Sequence, residues 1–278
     1  MLFSLSRPLK LVLFSMLLLA PPCAGGATEI ASPESGTGLT ELKSGTANKF
    51  MVVAANPLAA EAGAKILRAG GSATDAAITV QLVLNLVEPQ SSGIGGGAFV
   101  LHWDAKRNEV ASYDGRETAP ASAEENRFLT KNGKAMGRME AIVGGKAVGV
   151  PGVMRLLEMI HQRHGTLGWA ELFEPAIALA ENGFAISPRL HKLLARETAL
   201  KDIEPAKSFY YDARGNAKAV GTILKSPSFA KTLRMLAEEG ADAFYIGPLA
   251  ADIVRTVAAA ANNPGDMTLE DLEAYQAK

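Results

Sequence analysis

The sequence has one cysteine, Cys23, among its 278 residues. This cysteine lies in an N-terminal stretch where Arg7 and Lys10 precede an apolar run over residues 11–20. A short positive region before such a run is typical of a secretory signal peptide, and the run is too short for a membrane span. We therefore expect residues 1–26 to be removed on export to the periplasm or the cell exterior. Without Cys23, the mature chain would have no disulfide, no thiol nucleophile and no thiolate metal site.

Two other uses of this leader stay open. It would serve as an anchor if it were not cleaved, and Cys23 would serve as a lipid acceptor. Pro22 directly before the cysteine disfavours lipidation, because lipoprotein sites prefer a small residue at that position.

An excess of charge of either sign is also absent. Lys and Arg number 28 and Asp and Glu number 29, which gives a net charge of -1 and indicates no nucleic-acid partner. Aromatic residues make up 6% of the chain and hydrophobic residues 48%, so we expect a layered core rich in Ala, Val, Ile and Leu. The length allows one large domain or two ordinary ones.

The order of polar and apolar segments predicts mixed helix and strand. Residues 27–49 are polar and rich in Ser, Thr and Gly, which is typical of an exposed linker. Residues 51–55 form a short apolar run, which predicts a buried strand. Two β-rich runs around a polar turn predict a hairpin from residues 98–103 and 109–113. Helical spacing of apolar residues predicts helices over residues 57–69, 72–87, 153–163, 169–182, 188–197, 226–239 and 248–261.

Several residues mark the ends of these helices. Ser72 with Asp75 three positions later resembles a capping box, with Asp in the place of Glu. Glycines stand where helix ends require them, at Gly70, Gly71, Gly183, Gly240 and Gly265.

The stretch SSGIGGGA over residues 91–98 is the densest glycine cluster in the chain. Gly93, Gly95 and Ala98 match the G-x-G-x-x-G/A spacing of a dinucleotide-binding turn. Such a turn leads from a strand into a helix, whose N-terminus holds the pyrophosphate. Here a helix leads in and a strand leads out, which argues against a nucleotide. The glycines then indicate a connection that needs positive φ or close backbone approach, or one wall of a pocket.

Four histidines are candidates for chemistry. His102 lies in the middle of a predicted strand and is more typical of a packed residue than of a base. His161 and His164 are three positions apart on a predicted helix, a spacing that suits a metal, but no third ligand is spaced to join them. His191 stands alone.

Two serines and two tyrosines are further candidates for a nucleophile or a ligand-binding group. Ser91 and Ser92 are not in a G-x-S-x-G nucleophile elbow, and no Asp–His pair follows in the expected order. Tyr210 and Tyr211 lie before a predicted turn at residues 215–216, which is more typical of packing or surface residues than of ligands.

Five long blocks carry a resemblance to a known family. They cover residues 51–100, 113–120, 147–169, 172–187 and 266–277. Together they resemble the start of the large subunit of γ-glutamyltransferases, also called γ-glutamyl transpeptidases or glutathione hydrolases.

The resemblance implies a fold, a chemistry and a set of partners. The family fold is an αββα sandwich of the N-terminal-nucleophile hydrolase class, of which these residues would form an incomplete part. A family precursor cuts itself into a large and a small subunit, and the new N-terminal Thr of the small subunit is the nucleophile. The substrates are glutathione or other γ-glutamyl compounds, and acceptor amino acids, peptides or water complete the reaction without a cofactor.

The resemblance implies a binding role for one side chain of this sequence. Arg116 in the motif DGRE, residues 114–117, is similar to the family arginine that binds the α-carboxylate of the γ-glutamyl group. A guanidinium forms a planar two-point clamp on a carboxylate and stays charged at any working pH. The alternative is an ion pair with Glu117 or another acid at a sheet end.

The nucleophilic Thr, in a Thr-Thr-His-type context, does not occur in residues 1–278. We therefore expect these residues to be the N-terminal portion of the large subunit, from residue 50 onward, and to be inactive alone. Two alternatives stay open: a truncated, non-catalytic homologue that acts as a binding module, and a family member that acts on acyl amides such as β-lactam side chains. A third, a nucleotide-dependent oxidoreductase built on residues 93–98, fails on the order of the elements around the glycines. Whether the reading frame continues to such a Thr distinguishes the enzyme precursor from the truncated, non-catalytic homologue.

Overall fold

A computed structural model of the protein describes residues 45–278. The expected signal peptide, residues 1–26, and residues 27–44 of the expected linker lie outside the described residues. Residues 45–49 are exposed and have no regular secondary structure. Among the described residues, no helix is both long enough and apolar enough to cross a membrane.

Helices dominate the described part of the chain, as the apolar spacing predicts. The α-helices are α1 (Pro57–Arg68), α2 (Ala73–Val87), α3 (Arg138–Ile142), α4 (Val153–His164), α5 (Glu174–Asn182), α6 (Pro188–Arg196), α7 (Ala206–Tyr210), α8 (Pro227–Glu239), α9 (Asp242–Tyr245), α10 (Pro248–Ala258) and α11 (Leu269–Glu273). Short 3₁₀ segments cover Gly145–Ala147, Trp169–Leu172 and Leu200–Asp202.

The strands described by the structure form two antiparallel pairs. Strand β1 (Ala98–Asp104) pairs with β2 (Glu109–Gly115), which confirms the predicted hairpin. A much shorter pair joins β3 (Phe184–Ala185) to β4 (Ile223–Leu224). In the hairpin, Ala98 lies opposite Gly115 and Asp104 opposite Glu109.

The core forms around α2, which packs against α1, α4 and α5. Its residues Ile78, Leu82 and Val83 are fully buried. Helix α1 approaches α2 closely because Gly63 has no side chain: a Cβ there would lie 2.6 Å from Val80 Cγ2. Helix α4 packs on β2, so the hairpin is held on the edge of a helical core.

The predicted helix ends are mostly confirmed. Ser72 Oγ accepts the Asp75 N–H at 3.1 Å while Asp75 Oδ2 accepts the Ser72 N–H at 2.8 Å, which is the predicted capping box. Gly183 and Gly240 directly follow α5 and α8 with positive φ. Gly265 is different: α10 ends at Ala258, and the Gly265 N–H returns to the Val257 carbonyl at 2.9 Å.

Two predicted elements are wrong. Residues 51–55 form no strand, and no backbone hydrogen bond joins them to another described residue. Met51 and Val53 are exposed, because no other described strand pairs with this apolar run. The helix expected over residues 169–182 is interrupted at Phe173, and Pro175 instead occupies the first turn of α5, where its missing N–H costs no intrahelical bond.

Asp75 does more than cap α2. Its side chain is completely buried, and Oδ2 also accepts the N–H groups of Thr166 and Leu167 at 2.9 and 3.1 Å. One carboxylate oxygen therefore ties the start of α2 to the loop after α4.

Asp75→Ala is expected to lower the free energy of unfolding by about 3 kcal/mol, because three backbone N–H groups lose their acceptor. Urea unfolding measures the change. Asp212→Ala is the matched control, since Asp212 accepts two backbone N–H groups in an exposed turn. Its effect is expected to stay below about 1 kcal/mol, and equal effects of the two substitutions would contradict this role of Asp75.

Candidate functional site

Arg116 lies directly after β2, with 51% of its side-chain surface exposed. Its backbone N–H donates to Asp114 Oδ1 at 2.8 Å, and one Nη donates to the Gly97 carbonyl at 3.3 Å. The other Nη lies 3.1 Å from Glu117 Oε2. The guanidinium carbon is 5.9 Å from the centre of the Phe99 ring.

The ion pair between Arg116 and Glu117, which was the alternative to a ligand-binding role, is therefore present. It does not exhaust the guanidinium, which carries five N–H donors. One donor contacts Gly97 and the Glu117 carboxylate occupies one further side, while half of the side chain faces solvent. This arrangement holds Arg116 in place and leaves donors that can bind a second carboxylate.

The glycine stretch connects α2 to β1, so the reversed order of elements is confirmed. Gly93, Gly95, Gly96 and Gly97 all have φ outside the left-handed region, so positive φ does not explain them. The expectation of positive φ is wrong here, and the expectation of close backbone approach is right at Gly97.

Gly97 lies against the Arg116–Glu117 segment. A Cβ on Gly97 would lie 2.5 Å from Glu117 Oε2 and 2.8 Å from Arg116 Cα. By contrast, a Cβ on Gly95 would meet nothing within 4 Å, and one on Gly93 would meet its nearest atom at 3.9 Å. One end of the stretch therefore packs against Arg116, and the other end is open.

The carbonyl of Gly96 caps helix α4. It accepts the N–H groups of Gly152 and Val153 at 2.9 and 3.1 Å. A neutral carbonyl oxygen of the glycine stretch thus accepts the free N–H groups at the N-terminus of α4. On the other side of Arg116, Thr118 and Val150 exchange two backbone hydrogen bonds of 3.3 and 2.8 Å.

The C-terminal residues complete the surroundings of Arg116. Tyr275 Oη donates to the Arg116 carbonyl at 2.6 Å. Asp114 and Lys278 exchange two backbone hydrogen bonds of 2.6 and 2.8 Å. Sequence reasoning missed both contacts, because the partners are about 160 residues apart and nothing in their spacing links them.

The histidines have structural partners. His102 lies in β1 and stacks on His164 with ring centres 3.8 Å apart, and His164 Nε2 is 2.6 Å from Tyr113 Oη. Burial lowers the pKa of His164, and neighbouring His102 and Arg163 lower it further. His161 Nε2 instead contacts the Leu167 carbonyl at 2.9 Å.

The other candidates also make packing contacts. His191 Nδ1 lies 2.9 Å from the Lys218 carbonyl. Ser92 Oγ donates to Asn85 Oδ1 at 3.0 Å. Tyr211 is buried and its hydroxyl donates to the Leu194 carbonyl at 3.1 Å, while burial raises the pKa of Tyr210 to about 12. Within residues 45–278, no three His, Cys, Asp or Glu side chains are grouped to hold a metal.

The described residues share their fold with solved structures of the N-terminal-nucleophile hydrolase class. The helices and strands match a solved γ-glutamyltranspeptidase of Helicobacter pylori with a TM-score of 0.78 and 34% identity, over 85% of this chain and 66% of that one. The expected fold class is thereby confirmed.

The family model for gamma-glutamyltranspeptidase matches residues 59–278, and the chain belongs to that family. The glutathione hydrolase proenzyme of Bacillus subtilis is 39% identical over 231 residues, which are 81% of this chain and 38% of the relative. A cephalosporin acylase of Bacillus halodurans matches with a TM-score of 0.63 and 31% identity, over 86% of this chain and 46% of that one. The match thus spans well under half the length of the Bacillus subtilis relative.

Gly97→Ala is expected to destabilise the protein by about 1–3 kcal/mol, because the new methyl group would overlap the backbone of Arg116. Gly95→Ala is the matched control from the same stretch and is expected to change stability by less than about 0.5 kcal/mol. Thermal unfolding of both variants decides, and an equal effect at the two glycines would show that Gly97 is not closely packed.

Proposed function

We propose that this chain is the N-terminal part of the large subunit of an enzyme that transfers or hydrolyses γ-glutamyl groups. In this proposal, Arg116 binds the α-carboxylate of the γ-glutamyl donor, which is glutathione or a related γ-glutamyl amide. The observation that carries it is the half-exposed guanidinium at the end of β2, fixed on one side and free on the other.

The physical case for a carboxylate ligand rests on the shape and charge of the guanidinium. Arg and carboxylate groups form two parallel charge-assisted hydrogen bonds, which fix orientation as well as position. Gly97 and Glu117 hold the side chain before a ligand arrives, so less side-chain entropy is lost on binding. The open glycines Gly93 and Gly95 leave room for a ligand beside the site.

The covalent chemistry is assigned to an N-terminal Thr that lies beyond these 278 residues. Its Oγ attacks the γ-carbonyl carbon, its α-amino group takes the hydroxyl proton, and that proton passes to the departing amine as the amide C–N bond breaks. Water, an amino acid or a peptide then attacks the ester carbonyl and gives a proton to the α-amino group. The ester C–O bond breaks, the Thr Oγ takes that proton, and the γ-glutamyl group is released on the nucleophile. No step needs a cofactor.

The partner proposed for this chain is the small subunit released from the same precursor by self-cleavage. One face of the hairpin supports this partner, because Phe99, Leu101, Trp103 and Val110 are all exposed there, by 54–74%. Four large apolar side chains on one small sheet face are typical of a surface that another protein segment covers.

A second candidate is hydrolysis of an acyl amide such as a β-lactam side chain, which the similarity to a cephalosporin acylase favours. Arg116 separates the two candidates, since it fits a donor with an α-carboxylate. In both cases the mature enzyme is proposed to act outside the cytoplasm, on the basis of the leader.

Arg116→Ala in the complete processed enzyme is expected to raise the KM for γ-glutamyl-p-nitroanilide about 10- to 100-fold, as the loss of charged hydrogen bonds requires. Self-cleavage is expected to proceed normally. Arg116→Lys should also be impaired, because an ammonium cannot form the two-point clamp. Steady-state kinetics measures both effects.

Arg107→Lys is the matched control for charge, since Arg107 lies exposed at the opposite end of the same hairpin. It is expected to leave the KM unchanged. Donor affinity that survives Arg116→Ala would rule out the assigned role.

Residues 27–278 produced without the rest of the precursor are expected to self-associate through the exposed hairpin face. The pair of substitutions Leu101→Glu and Trp103→Glu is expected to reduce this association, as measured by sedimentation velocity. Val220→Glu, which places a charge at another exposed apolar residue, is the control. A monomeric, cooperatively melting wild-type chain would contradict the proposed covering of this face.

A further inference from the structure

Tyr275 follows α11 and is 6% exposed, and its hydroxyl donates to the carbonyl of Arg116 at 2.6 Å. Burial raises the pKa of Tyr275, and the carboxylates of Asp114 and Glu117 act in the same direction. The hydroxyl therefore keeps its proton and remains a donor at neutral pH.

The ring of Tyr275 is itself held in place. It stacks on Tyr245 with ring centres 5.9 Å apart and planes within 7°. Tyr245 Oη donates to the Pro151 carbonyl at 2.9 Å and accepts the Arg155 N–H at 3.2 Å. The position of the Tyr275 hydroxyl is thus set by α9 and by the first turn of α4.

The absence of a side chain at Gly152 allows the hydroxyl to reach Arg116. A Cβ on Gly152 would overlap both Tyr275 Oη and the Gly115 carbonyl oxygen. A Cβ on Gly115 would lie 2.5 Å from Leu156 Cβ. The Tyr275 hydroxyl therefore sits in a gap that exists because Gly152 has no side chain, whereas the lack of a side chain at Gly115 lets the end of β2 approach α4.

The C-terminal segment also fixes Asp114, whose carboxylate binds the backbone of Arg116. Asp114 exchanges backbone hydrogen bonds with Lys278, and the Arg116 N–H is bound by the Asp114 carboxylate. Both the N–H and the C=O of Arg116 are consequently engaged, which restricts rotation of the two peptide groups that aim its side chain.

We propose that Tyr275 is a positioning residue for Arg116: its hydroxyl fixes the Arg116 carbonyl and so directs the guanidinium toward the α-carboxylate of the donor. This inference rests on the proposed function and adds a residue to it. Tyr275 acts through Arg116 and does not itself touch the donor.

Tyr275→Phe in the complete processed enzyme tests the proposal, because it removes the hydroxyl and keeps the stacked ring. The KM for γ-glutamyl-p-nitroanilide is expected to rise about 3- to 10-fold, the range that the loss of one hydrogen bond supports. The kcat is expected to change less than about twofold, since the acyl transfer itself is untouched.

Tyr211→Phe is the matched control. Its hydroxyl is also buried and donates to a backbone carbonyl, that of Leu194 at 3.1 Å. Both substitutions are expected to lower the melting temperature, but only Tyr275→Phe is expected to raise the KM.

Coupling to Arg116 separates positioning from general destabilisation. In an Arg116→Lys background, Tyr275→Phe is expected to raise the KM less than twofold further, because the clamp is already lost. If Arg116→Ala raises the KM while Tyr275→Phe does not, the inference is overturned and the proposed function stands. If Arg116→Ala itself leaves the KM unchanged, the proposed function fails.

Discussion

Close backbone packing around the DGRE segment is the constraint on which the candidate site depends. Gly97, Gly115 and Gly152 each bring a backbone or side chain nearer to residues 115–117 than a Cβ would permit. The hydrogen bonds from Tyr275 and between Asp114 and Lys278 then fix the segment from the C-terminal side. A flexible, exposed arginine is thereby given a defined starting point and direction.

The antiparallel pairing of β1 with β2 brings the glycine stretch and Arg116 together. Helix α2 ends before the glycine stretch, and β1 begins after it, so the stretch lies beside the end of β2 where Arg116 emerges. The carbonyl of Gly96 at the start of α4 links this stretch to the core. The site is consequently built on a sheet end and a helix start, which are rigid elements, and the apolar hairpin face beside it is exposed within the described part of the chain.

The elements that the sequence predicts correctly are those set by local chemistry. The capping box at Ser72, the hairpin and the helix ends at Gly183 and Gly240 depend on residues within a few positions of each other. The strand predicted over residues 51–55 is wrong, because a strand needs a pairing partner and apolar composition does not reveal whether one exists. Arg116 came from similarity to a family, whereas Tyr275 could not be predicted, since a contact across 159 residues leaves no pattern in spacing.

The central claim is that the guanidinium of Arg116 binds the α-carboxylate of a γ-glutamyl group. A crystal structure of the complete processed enzyme with bound L-glutamate tests it most directly. The account predicts two near-parallel hydrogen bonds of about 2.9 Å from Arg116 to the α-carboxylate, with the Tyr275 hydroxyl still on the Arg116 carbonyl. A glutamate whose α-carboxylate lies on other residues, with Arg116 still paired to Glu117 alone, would contradict it.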